Sequence, residues 1–167
     1  MARQQQNVIK MQKRSLKFSI AATIAALYSI LTLLLGNFSF SWLQVRISEA
    51  LTPLPFLIGF PAVIGLTLGC IISNIFSPVG FLDLILGSLL TLGAALLSWK
   101  ATFNKKILAC VYPVLVNALG VSAYISPFYG IPYSIAFLTI GMGEFIAAIL
   151  VGYPLLVFIE KLLKPEK

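Results

Sequence analysis

The sequence predicts an all-α integral membrane protein with six transmembrane helices and both termini in the cytoplasm. Its 167 residues are 59% apolar and only 10% charged, and the mean hydropathy is +0.99. Ordinary soluble domains do not have such a composition. The net charge of +7 comes mainly from the two tails and one short loop. That distribution is typical of membrane topology and argues against a nucleic-acid surface.

Six apolar segments of unequal length define the predicted spans within a membrane domain of residues 16–160. A basic segment (residues 1–15) precedes this domain, and a short tail (residues 161–167) follows it. The first span exceeds the roughly 7–15 apolar residues of a signal peptide. The second and third are shorter than the ~20 residues of a straight span, so we expect one of them to be tilted, half-buried or shielded. The segments are 16–36, 51–60, 62–76, 84–99, 107–123 and 135–159.

The basic residues favour six crossings over five. Lysine and arginine collect on the cytoplasmic side of membrane proteins. Six crossings place all three basic clusters on one side, whereas five would put the C-terminal cluster outside. The clusters are Lys10, Lys13, Arg14 and Lys17 before the first span, Lys100, Lys105 and Lys106 between the fourth and fifth, and Lys161, Lys164 and Lys167 after the sixth.

Glu144 is the most informative single residue. It follows Ile135 by nine positions in the sixth segment, about 14 Å along a helix that rises 1.5 Å per residue. A carboxylate at that depth is costly and usually faces a cavity or a partner group. Gly141 and Gly143 leave room beside it. We therefore favour a functional role over a protonated or arginine-paired glutamate that holds helices together.

Five further polar residues are candidates for the same outward-facing site. Asn74 and Asn117 lie in the outer halves of the third and fifth segments, where ligand contact and interhelical hydrogen bonding are about equally expected. Asp83 opens the fourth segment, and we favour a helix N-cap over ligand contact. Arg46 lies three residues before Glu49, which predicts either a surface ion pair or a part of a binding site or lid.

An aromatic outer loop is predicted between the fifth and sixth segments. Its rings can stack on a flat heterocycle, although an interfacial aromatic belt is the commoner use. Tyr129 is the stacking candidate. The residues are Tyr124, Phe128, Tyr129 and Tyr133, with Pro127 and Pro132.

Small residues on the first segment permit close helix approach. They form two overlapping Ala-xxx-Ala steps on adjacent faces, a spacing that allows helices to pack tightly in lipid. Gly65 and Gly69 repeat the spacing in the third segment. The pattern indicates packing and only weakly a partner subunit. The alanines are Ala21, Ala22, Ala25 and Ala26.

The sequence has none of the motifs that would indicate catalysis or a metal site. It contains no histidine, P-loop, HExxH or GxSxG, so we predict no catalytic residues and no metal ligands. Cys70 and Cys110 lie in apolar segments and are interpreted as packing residues. No inverted repeat of a complete secondary transporter is visible. A partner that supplies energy is therefore a natural expectation.

Three blocks of sequence closely resemble the QueT family of queuosine-precursor transporters. They are QVRISEALTPLP from Gln44, GLTLGCIISN from Gly65 and DLILGSLLTL from Asp83. The resemblance in order and spacing covers about residues 44–97. Members of this family are substrate-binding (S) components of energy-coupling factor (ECF) importers.

The resemblance implies an S-component-like fold in the bacterial cell membrane and no enzymatic activity. The chain would work with a transmembrane coupling subunit and two cytoplasmic ATPases, which use the ATP, so no cofactor is expected in this chain. The alanine face of the first helix would dock on the coupling subunit. The loop after the first helix acts as a lid in related proteins, which would give Arg46 and Glu49 a gating or ligand role.

The implied substrate is a 7-deazaguanine, the aminomethyl or nitrile precursor of queuosine. A carboxylate can accept its paired N–H donors, so Glu144, Glu49 and Asp83 are chemically suited partners, with Asn74 and Asn117 secondary. Two alternatives stay open. One is an S component for another water-soluble vitamin or nucleobase, and the other is a membrane scaffold subunit without a ligand.

Overall fold

The computed structural model describes residues 2–40 and 46–163, and every regular element in these two ranges is helical. Side chains are described from Gln12 onward, except at 37 and 38. Lys10, Lys164 and Lys167 of the predicted basic clusters, and the start of the first quoted block at Gln44, lie outside these described parts.

The helices follow one another with short connections. Two of them contain π-helical stretches, in which the helix is locally wider than an α-helix. The elements are α1 (Ala2–Leu34), α2 (Gly36–Ser39), a 3-10 helix (Ile47–Leu51), α3 (Pro55–Ile58), α4 (Phe60–Asn74), a π-helical turn (Asp83–Gly87) that continues into α5 (Ser88–Lys100), α6 (Lys106–Tyr129), α7 (Tyr133–Glu144), a π-helical stretch (Phe145–Val151) and α8 (Gly152–Leu163).

Four helical segments of the described chain are long and apolar enough to cross a membrane. They are Gln12–Leu34, Asp83–Lys100, Lys106–Tyr129 and the continuous helix Tyr133–Leu163. Large apolar side chains on these helices are exposed, as a lipid-facing surface requires. The multi-pass architecture is thus established, whereas six crossings and the cytoplasmic side of the termini stay predictions.

The predicted second and third spans are the short ones. Ile47–Ile58 and Phe60–Asn74 are apolar but fall below the length of a straight span. The second is broken into the 3-10 helix and α3, and Gly59, with φ +78°, separates α3 from α4. Most residues from Ser48 to Pro55 are buried. This segment is therefore covered by its neighbours, in agreement with the expectation that one of the two short spans is shielded.

Helix α1 packs along α4 through small residues. A Cβ atom placed on Gly65 would lie 2.6 Å from the carbonyl oxygen of Ala21, and one on Gly69 would lie 2.8 Å from that of Ala25. The Ser29 hydroxyl donates to the Gly69 carbonyl at 3.0 Å. We call this contact the α1–α4 seam. Its backbones approach so closely that only glycine fits on the α4 side.

The remaining helices surround the polar interior. α4 contacts α5, α5 contacts α6, and α6 contacts α7. The 3-10 helix packs against α1 and against the π-helical stretch after α7, and the Thr32 hydroxyl donates to the Ser48 hydroxyl at 2.7 Å. The 3-10 helix therefore carries Glu49 toward the helices that hold Asn117 and Glu144.

The predicted aromatic outer loop is mostly helix. α6 continues to Tyr129 with Pro127 inside it, and only residues 130–132 separate it from α7. The loop prediction was wrong because proline at this position does not end the helix. Tyr124 is thereby placed on a helical face that points inward, where it is buried.

Candidate functional site

Arg46 and Asp83 form a buried ion pair. The Arg46 Nη2 atom lies 2.8 Å from the Asp83 Oδ2 atom. Arg46 is 5% exposed and Asp83 is fully buried. The Ser77 hydroxyl donates to the same carboxylate oxygen at 2.6 Å, and the Tyr124 hydroxyl donates to Oδ1 at 2.6 Å. The Asp83 carboxylate is thus paired and hydrogen-bonded on both oxygens, the condition under which buried charges are tolerated.

Two sequence interpretations fail at this point. Residues 81 and 82 are already helical, so Asp83 lies inside the helix, and its carboxylate makes no capping hydrogen bond. The predicted N-cap role is wrong, because the carboxylate instead balances Arg46. The predicted surface ion pair between Arg46 and Glu49 is also wrong. Arg46 is buried against Asp83, and Glu49 has hydroxyl partners.

Glu49 is buried on the 3-10 helix with 1% of its surface exposed. The Tyr28 hydroxyl donates to its Oε1 atom, and the Thr52 hydroxyl donates to Oε2 at 2.5 Å. Among the described residues it makes no ion pair. Both oxygens are therefore oriented by neutral donors, and no cation pairs with this side chain in the described part of the chain.

Glu144 lies at the end of α7 and is 3% exposed. The Asn117 side-chain amide donates to its Oε1 atom at 2.9 Å. Its Oε2 atom is buried and has no hydrogen-bond partner in the described part of the chain. A buried oxygen without a partner costs free energy, so this atom has an unused capacity to accept a hydrogen bond.

A small cavity joins the acidic residues. The space open to the centre of a water-sized sphere is about 10 Å³, which is roughly the room of one water molecule. A nucleobase would have to displace the lining side chains in order to enter. The lining residues are Arg46, Glu49, Gly87, Thr91, Asn117, Val121, Ile140 and Glu144.

Both π-helical stretches lie beside this cavity. One begins at Asp83 and ends at Gly87, and the other follows Glu144 directly. A Cβ atom on Gly87 would lie 3.0 Å from the Asn74 amide nitrogen and 3.1 Å from Asp83 Oδ1. Single-turn π-bulges often occur at functional sites. Here one stretch begins at Asp83 and the other directly follows Glu144. The apolar pattern of the sequence predicts neither stretch.

The remaining predicted binding residues lie outside the cavity wall. Asn74 donates to the Asp83 backbone carbonyl at 2.8 Å, and so supports the π-helical turn from behind. Tyr129 is 37% exposed, and its hydroxyl donates to the Phe40 carbonyl at 3.2 Å. The predicted binding residues that line the cavity are therefore Arg46, Glu49, Asn117 and Glu144. Asp83 and Asn74 hold its wall, and Tyr129 does not reach it.

Several hydroxyl groups of the site escaped prediction from the sequence. Tyr28, Thr52 and Ser77 donate to the acidic side chains, and Thr91 lines the cavity. Hydroxyl residues are common in membrane helices, where they also bond to their own backbone. The sequence therefore carries no signal that separates these residues from ordinary ones.

The four alanines of α1 divide between two faces. Ala21 and Ala25 are buried in the α1–α4 seam, whereas Ala22 and Ala26 are exposed. Beside the exposed face lies an apolar groove of about 320 Å³ between α1 and α4. Its lining residues are Lys17, Phe18, Ala21, Ala22, Phe60, Pro61, Ile64 and Leu68.

Comparison with known proteins identifies the family. The family model described as QueT transporter matches residues 18–161 of the chain. No curated protein and no solved structure matches the chain. The matched range includes the α1–α4 seam and every residue that lines the cavity. The resemblance seen in the three sequence blocks is thus confirmed over nearly the whole chain, and the chain belongs to the QueT transporter family of membrane proteins.

Proposed function

We propose that this chain is the substrate-binding subunit of an ATP-driven ECF-type importer in the bacterial cell membrane. It captures a queuosine precursor, a 7-deazaguanine such as the aminomethyl or nitrile form, from outside and delivers it to the cytoplasm. Family membership supports transport. The observation that supports the binding site is the buried Glu144 side chain, whose Oε2 atom lies at the cavity wall without a partner among the described residues.

The chemistry of the cavity suits a guanine-like ligand. Such a ring presents N–H donors along one edge, and a carboxylate can accept two parallel hydrogen bonds from such donors. Glu49 and Glu144 supply acceptors, and Asn117 supplies an amide that can donate and accept. The apolar side chains Val121 and Ile140 line the same space and can cover a flat ring.

Binding requires the closed cavity to widen. Arg46 begins the 3-10 helix segment and is tied to Asp83 on the π-helical turn before α5. Displacement of this segment would separate the walls of the cavity, because Glu49 moves with it. We therefore assign to Arg46 a role in gating, with Asp83 as the residue that holds the closed position.

The coupling subunit would dock on the exposed part of α1. Ala22 and Ala26 are the accessible members of the alanine pattern, and the apolar groove beside them adds surface for a partner helix. Small residues allow close helix contact in lipid. The two cytoplasmic ATPases would bind through that subunit and use the ATP.

Uptake measured in cells tests this function. Cells that cannot make the precursor, and that express the chain with its coupling module, should accumulate labelled 7-aminomethyl-7-deazaguanine. Glu144→Gln should reduce uptake at least about tenfold, because a hydrogen bond to a charged group contributes roughly 1.5–3 kcal/mol. Glu160→Gln is the matched control, since Glu160 pairs with Lys106 away from the cavity.

Two results would contradict the proposal. Uptake that is unchanged by Glu144→Gln would remove this residue from the binding site. A chain that co-purifies with the ATPases but supports no uptake of either precursor form would instead be a subunit for another cargo or a scaffold.

A further inference from the structure

More acidic than basic side chains line the cavity. Arg46 is the one basic residue among those that line it, and its charge is matched by Asp83 at 2.8 Å. Glu49 and Glu144 are then left without a cation among the described residues. The other basic side chains of the described part lie near the ends of the membrane-crossing segments, at Lys13, Arg14, Lys17, Lys100, Lys105, Lys106 and Lys161.

Two acidic side chains without a cation are costly to ionise together in a buried site. Removing a charged group from water costs several kcal/mol unless an opposite charge or many hydrogen bonds compensate. Glu49 and Glu144 are 1% and 3% exposed. A ligand that brings a positive charge into the cavity would supply the missing compensation, whereas a neutral ligand would not.

The two carboxylates are held differently, which suggests different tasks. Tyr28 and Thr52 fix the orientation of both Glu49 oxygens, as recognition of a planar pair of N–H donors requires. The Asn117 amide donates to one Glu144 oxygen, and the other oxygen has no partner within residues 2–40 and 46–163 as described. A free carboxylate oxygen suits an ammonium group, which is a compact charge with three donors.

We propose that the site selects ligands that carry a cationic arm beside the hydrogen-bonding edge, with Glu144 as the partner of the cation and Glu49 as the partner of the edge. This inference rests on the proposed function and deepens it. The aminomethyl form of the precursor carries a protonated amine at neutral pH, whereas the nitrile form is neutral and ends in an acceptor. The nitrile nitrogen brings neither a positive charge nor a hydrogen-bond donor to Glu144.

A matched ligand series tests the inference on the purified chain in lipid nanodiscs. The three probes are 7-aminomethyl-7-deazaguanine, 7-cyano-7-deazaguanine and 7-deazaguanine without an arm, each measured by equilibrium dialysis. The aminomethyl form should bind at least about tenfold more tightly than both neutral probes, which corresponds to roughly 1.4 kcal/mol. In Glu144→Gln this preference should fall to about threefold or less, and Glu144→Asp should restore part of it. Glu49→Gln should weaken all three probes in parallel.

Each outcome separates this inference from the function on which it depends. If the nitrile or the unsubstituted probe binds the wild-type chain as tightly as the aminomethyl form, the charge selection is wrong while the function stands. A preference that survives unchanged in a folded Glu144→Gln variant would overturn the role of Glu144. If none of the three probes binds the wild-type chain, the proposed function itself fails. The wild-type comparison decides the selection even where a variant does not fold.

Discussion

The α1–α4 seam and the polar cluster around the cavity are both buried, but they are built on opposite principles. In the seam, Gly65 and Gly69 bring two backbones into contact, and the Ser29 hydroxyl is satisfied by a carbonyl of the facing helix. In the cluster, acidic groups meet in a low-dielectric interior, and one Glu144 oxygen has no partner among the residues that the structure describes. The seam completes its interactions within the chain. The cluster leaves an oxygen without a partner in the described part of the chain, as the proposed capture of a ligand requires.

Within the cluster, the Arg46–Asp83 pair should contribute most to stability. Asp83→Asn removes the negative partner of a buried guanidinium, and breaking a buried pair in this way costs roughly 3–5 kcal/mol. We expect the free energy of unfolding to fall by this amount. Titration with sodium dodecyl sulfate in mixed micelles, followed by circular dichroism, measures it.

The control for this variant is Glu160→Gln. Glu160 pairs with Lys106, and their side chains are 21% and 33% exposed, so the loss should stay below about 1 kcal/mol. Equal losses in the two variants would show that burial does not distinguish these ion pairs.

Gly65→Ala should destabilise the seam by a smaller amount. The new methyl group would lie 2.6 Å from the Ala21 carbonyl oxygen and 2.8 Å from the Ile24 Cβ atom. The two helices would have to separate, and such overpacking costs roughly 1–3 kcal/mol. The same titration measures the loss.

Gly93→Ala is the matched control on α5. A methyl group there meets no described atom within 4 Å, so stability should be unchanged or should rise by up to about 1 kcal/mol from helix propensity. A loss in Gly93→Ala equal to that in Gly65→Ala would contradict the close contact in the seam.

Glu144→Gln separates a binding residue from a structural one. Since the Oε2 atom makes no hydrogen bond in the described structure, replacing the carboxyl group by an amide breaks no ion pair and removes no hydrogen bond of that oxygen. We expect stability without ligand to be equal or up to about 2 kcal/mol greater, as is common where function and stability compete. A decrease comparable to that of Asp83→Asn would mean that Glu144 holds the helices together.

Ala22→Trp should leave stability nearly unchanged and affect assembly instead. Ala22 is exposed beside the apolar groove, so a large side chain there would block a partner helix without disturbing the fold. If the proposed coupling subunit docks there, co-purification with the proposed ATPase subunits should be lost while ligand binding is kept. Leu138→Trp, at a lipid-facing position that is 62% exposed, is the control. Retained co-purification in Ala22→Trp would move the docking surface elsewhere.

The sequence predicts the helical segments well because apolar runs report directly on the bilayer. It does not predict how each short segment is divided. The π-helical stretches at Asp83 and after Glu144 depend on tertiary packing. Asp83 pairs with Arg46, which lies 37 residues away in the sequence. Local capping rules contain no information about such a distant partner.

Of the site residues, only the charged and amide side chains could be predicted from the sequence, because these groups are costly to bury in a membrane helix. Glu144 stands out because a carboxylate deep in an apolar helix requires a reason, and Glu49, Arg46 and Asn117 also line the cavity. Tyr28 donates to Glu49 from α1, yet a tyrosine in a membrane helix is unremarkable by sequence. The sequence also does not show which alanines of the Ala-xxx-Ala pattern are exposed, because this depends on α4, which covers Ala21 and Ala25.

A structure of the chain with 7-aminomethyl-7-deazaguanine bound is the most direct test of the polar cluster as a capture site. We predict that the ligand lies between Glu49 and Glu144, that the Glu144 Oε2 atom accepts a hydrogen bond from the ligand, and that the cavity widens well beyond its present size of about 10 Å³. A ligand bound elsewhere, with Glu144 still contacting only Asn117, would contradict this assignment.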